Sequence, residues 1–169
     1  MTECDVCEWI EKKENILFEG EKVIALLHPK PATVGHIIVV PKQHALILEE
    51  TPDYVMPELF RVANKLSLTV FESLGVQGTN LLIQNGIPAG QKNSHMMLHV
   101  IPRQQNDNLP LMWQPKQGDE EKLTQLATEL AENASRIGMF EKEPSKPREI
   151  QDNTEEAEDI YKKQLKRIP

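Results

Sequence analysis

The sequence predicts an α+β domain built on an antiparallel sheet. Two observations carry that reading. Short apolar, β-branched runs recur between glycine- and proline-bearing segments. Only two long amphipathic helical patterns interrupt them, so the regular strand–helix alternation of a parallel sheet is missing. The 169 residues suit one domain plus a modest extension, and 39 % hydrophobic with 27 % charged residues is ordinary for a chain with one core.

Taken in order, residues 4–15 read as a short helix with Trp9 and Ile10 on its buried side. Residues 16–28 read as two strands joined at Glu19–Gly20–Glu21, a hairpin signal. A loop with two prolines and a glycine (29–35) precedes the uniformly apolar strand 36–41. The longest helical pattern covers 51–75. Leu59, Val62, Ala63, Leu66, Val70, Phe71 and Leu74 form its apolar stripe, Pro57 fits only near its start, and Gly75 ends it. Strand 79–86, the glycine loop 87–94 and strand 95–101 follow. A second long helix is predicted over 119–138, with acids in its first turn and Leu123, Leu126, Ala127, Leu130 and Ile137 on one side.

Residues 1–140 are thus read as the domain. Beyond Phe140, prolines and charges mark residues 141–152 as a linker or surface strap. Residues 153–169 read as a terminal amphipathic helix. Asn153 and Glu156 have capping-box spacing, and Glu158–Lys162 and Asp159–Lys163 are i,i+4 pairs. Ala157, Ile160, Tyr161, Leu165 and Ile168 share one side. This helix either packs on its own domain or binds a partner protein or second subunit.

The net charge of -7 argues against a nonspecific nucleic-acid coat. No apolar run is long enough to span a bilayer. The acidic first residues do not read as a secretory signal. A reduced, cytoplasmic compartment is the default expectation.

Cys4 and Cys7 have C-x-x-C spacing. A redox pair is expected after a strand and entering a helix, and no strand precedes this one. Metal binding is the better reading if histidines complete the ligand set. The five histidines are His28, His36, His44, His95 and His99, each at a predicted strand end or beside a glycine loop. A strand period of two puts His95, Met97, His99 and Ile101 on one face and the apolar Met96, Leu98 and Val100 on the other. The loop "NGIPAGQ" (85–91) can bring backbone N–H groups close to phosphate oxygens.

"GHIIVVPKQH" (35–44), followed by "NGIPAGQKNSHMMLHVIPR" (85–103), resembles the histidine triad (HIT) superfamily. Its signature is His-φ-His-φ-His-φ-φ, where φ is apolar, often continued by Pro-Arg. The resemblance covers residues 4 to about 138 and leaves the tail unexplained. It implies a HIT-like antiparallel sheet, usually a homodimer, that binds purine nucleotides. Enzymes of the family cleave nucleotide phosphoanhydrides, phosphoramidates or related esters through a nucleotidyl-histidine intermediate.

Carried over, His95 matches the first triad histidine and His99 the third, while Met97 stands at the nucleophile. His36 matches a histidine that buttresses the triad. Gln84, Gly90 and Gln91 match phosphate-binding positions. His28 falls where the family places an Asp or Asn that holds the ribose. Many prokaryotic members join a C-x-x-C to two histidines around zinc, which implies Cys4, Cys7, His44 and His95 here. Four protein ligands leave no position for water, so the zinc would be structural.

A thioether is a poor nucleophile toward phosphorus. The expectation is a nucleotide-binding protein without the usual turnover. The alternative is an active nucleotidyl hydrolase on dinucleoside polyphosphates or nucleoside phosphoramidates, using His99 or an activated water.

Overall fold

The computed structural model describes residues 4–134, 137, 138 and 140–144. The predicted helix over 153–169 lies outside the described residues. Five strands form one antiparallel sheet: β1 Ile16–Glu19, β2 Val23–Leu27, β3 Ile37–Pro41, β4 Gly78–Ile83 and β5 Leu98–Arg103. Their order is β1-β2-β3-β5-β4, so the last strand inserts between β3 and β4. His99 on β5 is flanked by Ile38 on one side and Leu82 on the other.

Both faces of the sheet are covered, which explains why β3 is apolar at every position. On one face lies α2, Met56–Leu74, whose Leu59, Ala63 and Val70 pack with Val23, Ala25, Ile37, Val39, Met96, Leu98 and Val100. On the other lies the short helix α1, Asp5–Lys12, whose Val6 packs with Ile24, Leu26, Ile38, Val40 and Met97. The alternation of strand side chains sorts each residue to its cluster. Fully burying one such Ile, Leu or Val stabilises by about 1.5–3 kcal/mol.

The predicted boundaries shift for local reasons. Residues 95–97 are irregular, and the strand begins at Leu98. The Met96 N–H donates to the Ala45 carbonyl at 2.7 Å instead of entering the ladder. Side-chain alternation nonetheless persists, since Met96 packs under α2 and Met97 under α1. β4 stops at Ile83. The long helix starts at Met56 after two single 3-10 turns, with Pro57 in its first turn. Gly75 ends it at φ +62°, a left-handed cap that donates to the Phe71 carbonyl at 3.1 Å.

Phe71 departs from the predicted stripe and is exposed. At 100° per residue it sits about 120° around the helix from Leu59. Leu74 is exposed as well. Helix α3, Glu120–Asn133, is shorter than predicted and capped by Asp119, whose carboxylate accepts from the Glu121 and Lys122 N–H groups. Leu123, Leu126, Leu130 and Ile137 are exposed, so the expected apolar side meets no core among the described residues.

Candidate functional site

Two clusters of chemically active side chains lie along the α1 face of the sheet. The first joins three chain segments. Cys4 is the N-cap of α1 and Cys7 lies in its first turn, so both sulfurs sit at one helix end. His44 follows β3, and His95 precedes β5 and is fully buried. The four ligand atoms lie within 4.8 Å of one another. His95 Nδ1 is 3.6 Å from each sulfur, and His44 Nδ1 is 3.3 Å from Cys7 Sγ. A tetrahedron with ordinary Zn–S and Zn–N lengths has an S···N edge of about 3.6 Å. The geometry therefore fits a tetrahedral metal.

The proton on His95 is decided by its neighbour. His95 Nε2 lies 3.0 Å from the Pro41 carbonyl, which can only accept. Nε2 therefore carries the hydrogen, and the Nδ1 lone pair faces the sulfurs. Burial lowers the His95 pKa, keeping it neutral as a ligand must be. Burial, reinforced by the adjacent Cys4 sulfur, pushes the Cys7 thiol up to about 11. A bound dication would remove that penalty on the thiolate.

The second cluster is a chain of three imidazoles. The Ala32 N–H donates to His36 Nδ1 at 3.0 Å, so that nitrogen is unprotonated. In the neutral ring Nε2 then bears the hydrogen, and it donates to His99 Nδ1 at 3.0 Å. His99 consequently carries its proton on Nε2, with no protein partner for it among the described residues. Burial, followed by the neighbouring imidazoles, lowers both His36 and His99 to about 4, so the neutral forms hold at pH 7. His28 stacks on His36 with ring centroids 4.7 Å apart. The Lys30 N–H donates to His28 Nδ1 at 2.9 Å, leaving His28 an Nε2–H donor as well.

These rings border a cavity of about 490 Å³. His28, His36, Gln84, Gly90, Met97 and His99 all line it. Gly90 has φ +93°, and a Cβ there would meet Gln84 Nε2 at 2.5 Å, so only glycine lets that amide sit against the loop. Gln91 is not in the lining. Its side chain accepts from the Gly86 N–H at 2.8 Å and donates to the Leu46 and Asn93 carbonyls, bracing the loop from behind.

Several lining residues escape a sequence-level reading. Asp5 and Trp9 come from α1, four residues apart on one helix face, with the Trp9 ring edge-on to His28 at 6.0 Å. Their signal is the C-x-x-C itself, which anchors that helix over the sheet. Lys30 and Lys92 add two cations to the wall. Leu109 and Leu111 enclose it from a segment held by Arg103. That guanidinium donates to Asp107, to Asn80 and to the Leu109 carbonyl, and the pairing holds the Asp107 carboxyl well below its usual range.

The profile of the HIT domain matches residues 10–106, more than half of the chain, and the chain belongs to that family. A HIT-like protein of Methanocaldococcus jannaschii is 35 % identical over 106 residues, covering 62 % of this chain and 81 % of the relative. The adenylylsulfatase HINT3 of Arabidopsis thaliana is 32 % identical over 109 residues, 63 % of this chain and 55 % of that one. Among solved structures, a HIT family protein from Bacillus anthracis superposes with a TM-score of 0.72 at 28 % identity, covering 78 % of this chain and 97 % of its own. A Zn-bound histidine triad family protein from Mycobacterium smegmatis superposes with a TM-score of 0.59 at 28 % identity, covering 78 % and 96 %. No described helix is long and apolar enough to cross a membrane.

Proposed function

We propose that this chain binds a nucleotide or nucleotide conjugate in the His99 cavity without forming a nucleotidyl-histidine intermediate. The observation that carries this is the pairing of Met97 with the proton order of the imidazole chain. Met97 stands where the family signature has its nucleophile, and it offers a buried thioether. His99 cannot substitute, because its Nδ1 lone pair is engaged by His36 and its Nε2 is an N–H donor.

What the site can do is bind. The His99 and His28 Nε2–H groups, the Gln84 amide and the Lys30 and Lys92 ammonium groups give donors and positive charge for phosphate oxygens. Trp9, Leu82 and Ile101 give apolar surface for a base. Trp9 depends on α1, which the Cys4, Cys7, His44 and His95 cluster ties to the sheet. That cluster is read as structural zinc, supported by its geometry and by the Zn-bound relative. Zinc there would supply only a fixed tetrahedral crosslink, since all four positions are protein ligands. A homodimer in the cytoplasm is the remaining part of the proposal; the edge of β4, unpaired among the described residues, and exposed Leu81, Leu68 and Phe71 support the dimer.

The competing reading is an active hydrolase on AMP-linked substrates, favoured by the retained Gln84, Gly90 and His99 in one cavity. Isothermal titration with AMP, GMP and dinucleoside polyphosphates, beside assays for AMP release, separates the two. Binding with flat progress curves is expected. Turnover abolished by His99→Ala would establish the hydrolase, and no binding to any nucleotide would remove both readings.

A further inference from the structure

On the sheet face that carries α2, a long apolar trough separates that helix from the β1–β2 hairpin. Two adjoining cavities of about 940 and 520 Å³ make it up, and they share Leu17, Leu66 and Thr69. Leu17, Phe18 and Leu74 are each more than 40 % exposed along it, an apolar surface with no cover among the described residues.

The course of the chain says what covers it. Residues after α3 return to the trough's mouth, where the Glu141 N–H donates to the Asp53 carboxylate at 2.8 Å. The Glu143 carboxylate then pairs with Lys22 at 2.9 Å and itself lines the trough. Glu143, next to the last of the described residues, thus lies at that mouth. The trough runs beside α2 from Pro57 to Leu74, about 26 Å at helical rise. Residues 153–169, as a helix, have the same length of about 26 Å. The eight-residue connection 145–152 can reach along the trough or fold back at its entrance.

The apolar pattern agrees with the length. The stripe of Ile160, Tyr161, Leu165 and Ile168 suits the apolar floor. The mouth's Lys22, Arg61 and Lys65 are matched in number by Glu21, Glu58 and Glu143, so apolar contact rather than net charge carries the docking. We infer that residues 153–169 dock as an amphipathic helix in the α2–hairpin trough of their own chain.

Hydrogen–deuterium exchange on the full-length protein tests this. Amides 157–168 should exchange about tenfold or more slower than an unstructured chain, and β1 should be protected with them. Ile160→Asp/Leu165→Asp should return the tail to the unstructured rate and deprotect β1. Leu17→Ser, an exposed trough position, should deprotect the tail by the same route. Protection should not change on about 100-fold dilution, because docking within one chain is independent of concentration. A tail at the unstructured rate in wild type, protection lost on dilution, or protection indifferent to Leu17→Ser would each overturn the inference.

Discussion

His95 and His99 stand four residues apart with side chains on the same sheet face, yet they hold their protons on opposite terms. Both carry the hydrogen on Nε2. At His95 that hydrogen is turned into the Pro41 carbonyl, so the Nδ1 lone pair is free to bind a cation. At His99 the Nδ1 lone pair is taken by His36, so the free group is the N–H. One ring thus presents a lone pair suited to a cation and the other an N–H suited to an anion. The difference comes from single neighbours, a backbone carbonyl and a second imidazole, rather than from the ring or its strand.

Under the proposed function, Met97 between them restricts the second cluster to binding, so the largest change should follow from altering it. Met97→His should raise hydrolysis of AMP-linked substrates by at least about a thousandfold, measured as AMP release. If it does nothing, the cavity has diverged beyond its nucleophile position.

The first cluster gives the next largest effect. Zinc measured by mass spectrometry should be near one per chain and absent in Cys4→Ser/Cys7→Ser. Denaturant unfolding should show that variant losing more than about 4 kcal/mol. Because α1 carries Trp9 and Asp5 into the cavity, nucleotide affinity should fall with the metal. Unchanged affinity would mean the two clusters are independent.

His36→Ala tests the proton order more gently. It frees His99 Nδ1 and allows the other tautomer. AMP affinity by isothermal titration should fall about tenfold, the size of one hydrogen bond to a charged group.

The smallest effect is in pH. His36 and His99 are lowered to about 4 by burial, from an ordinary 6.5. Between those values the unfolded chain binds more protons, so this contribution to stability is complete above 6.5 and is lost as pH falls toward 4. Unfolding midpoints measured across that window in Cys4→Ser/Cys7→Ser, which removes metal release from the comparison, should decline steadily. A flat profile would contradict the neutral buried pair.

Much of this site is legible from spacing. The strand period separates Met96, Leu98 and Val100 from Met97 and His99, and the packing follows that division even where residues 95–97 leave the ladder. The family motifs bring His28, His36, Gln84, Gly90 and His99 to one cavity. Gln91 shows the limit, because a sequence cannot say which way an amide turns, and this one turns to the backbone of its own loop. Trp9 and Lys92 show another, since their place in the cavity depends on how α1 and the glycine loop pack in three dimensions. Phe71 shares the apolar character of its neighbours but not their angle around the helix. For α3, the pattern predicts an amphipathic helix but not what its apolar side meets.

The proposed function is binding without a covalent step at His99. Intact-protein mass spectrometry of the wild-type chain mixed with a dinucleoside polyphosphate, on a sample whose binding has been confirmed by titration, tests this most directly. The predicted result is an unmodified chain at every time point and a transient nucleotidyl adduct only in Met97→His. An adduct on wild type that maps to His99 would contradict it.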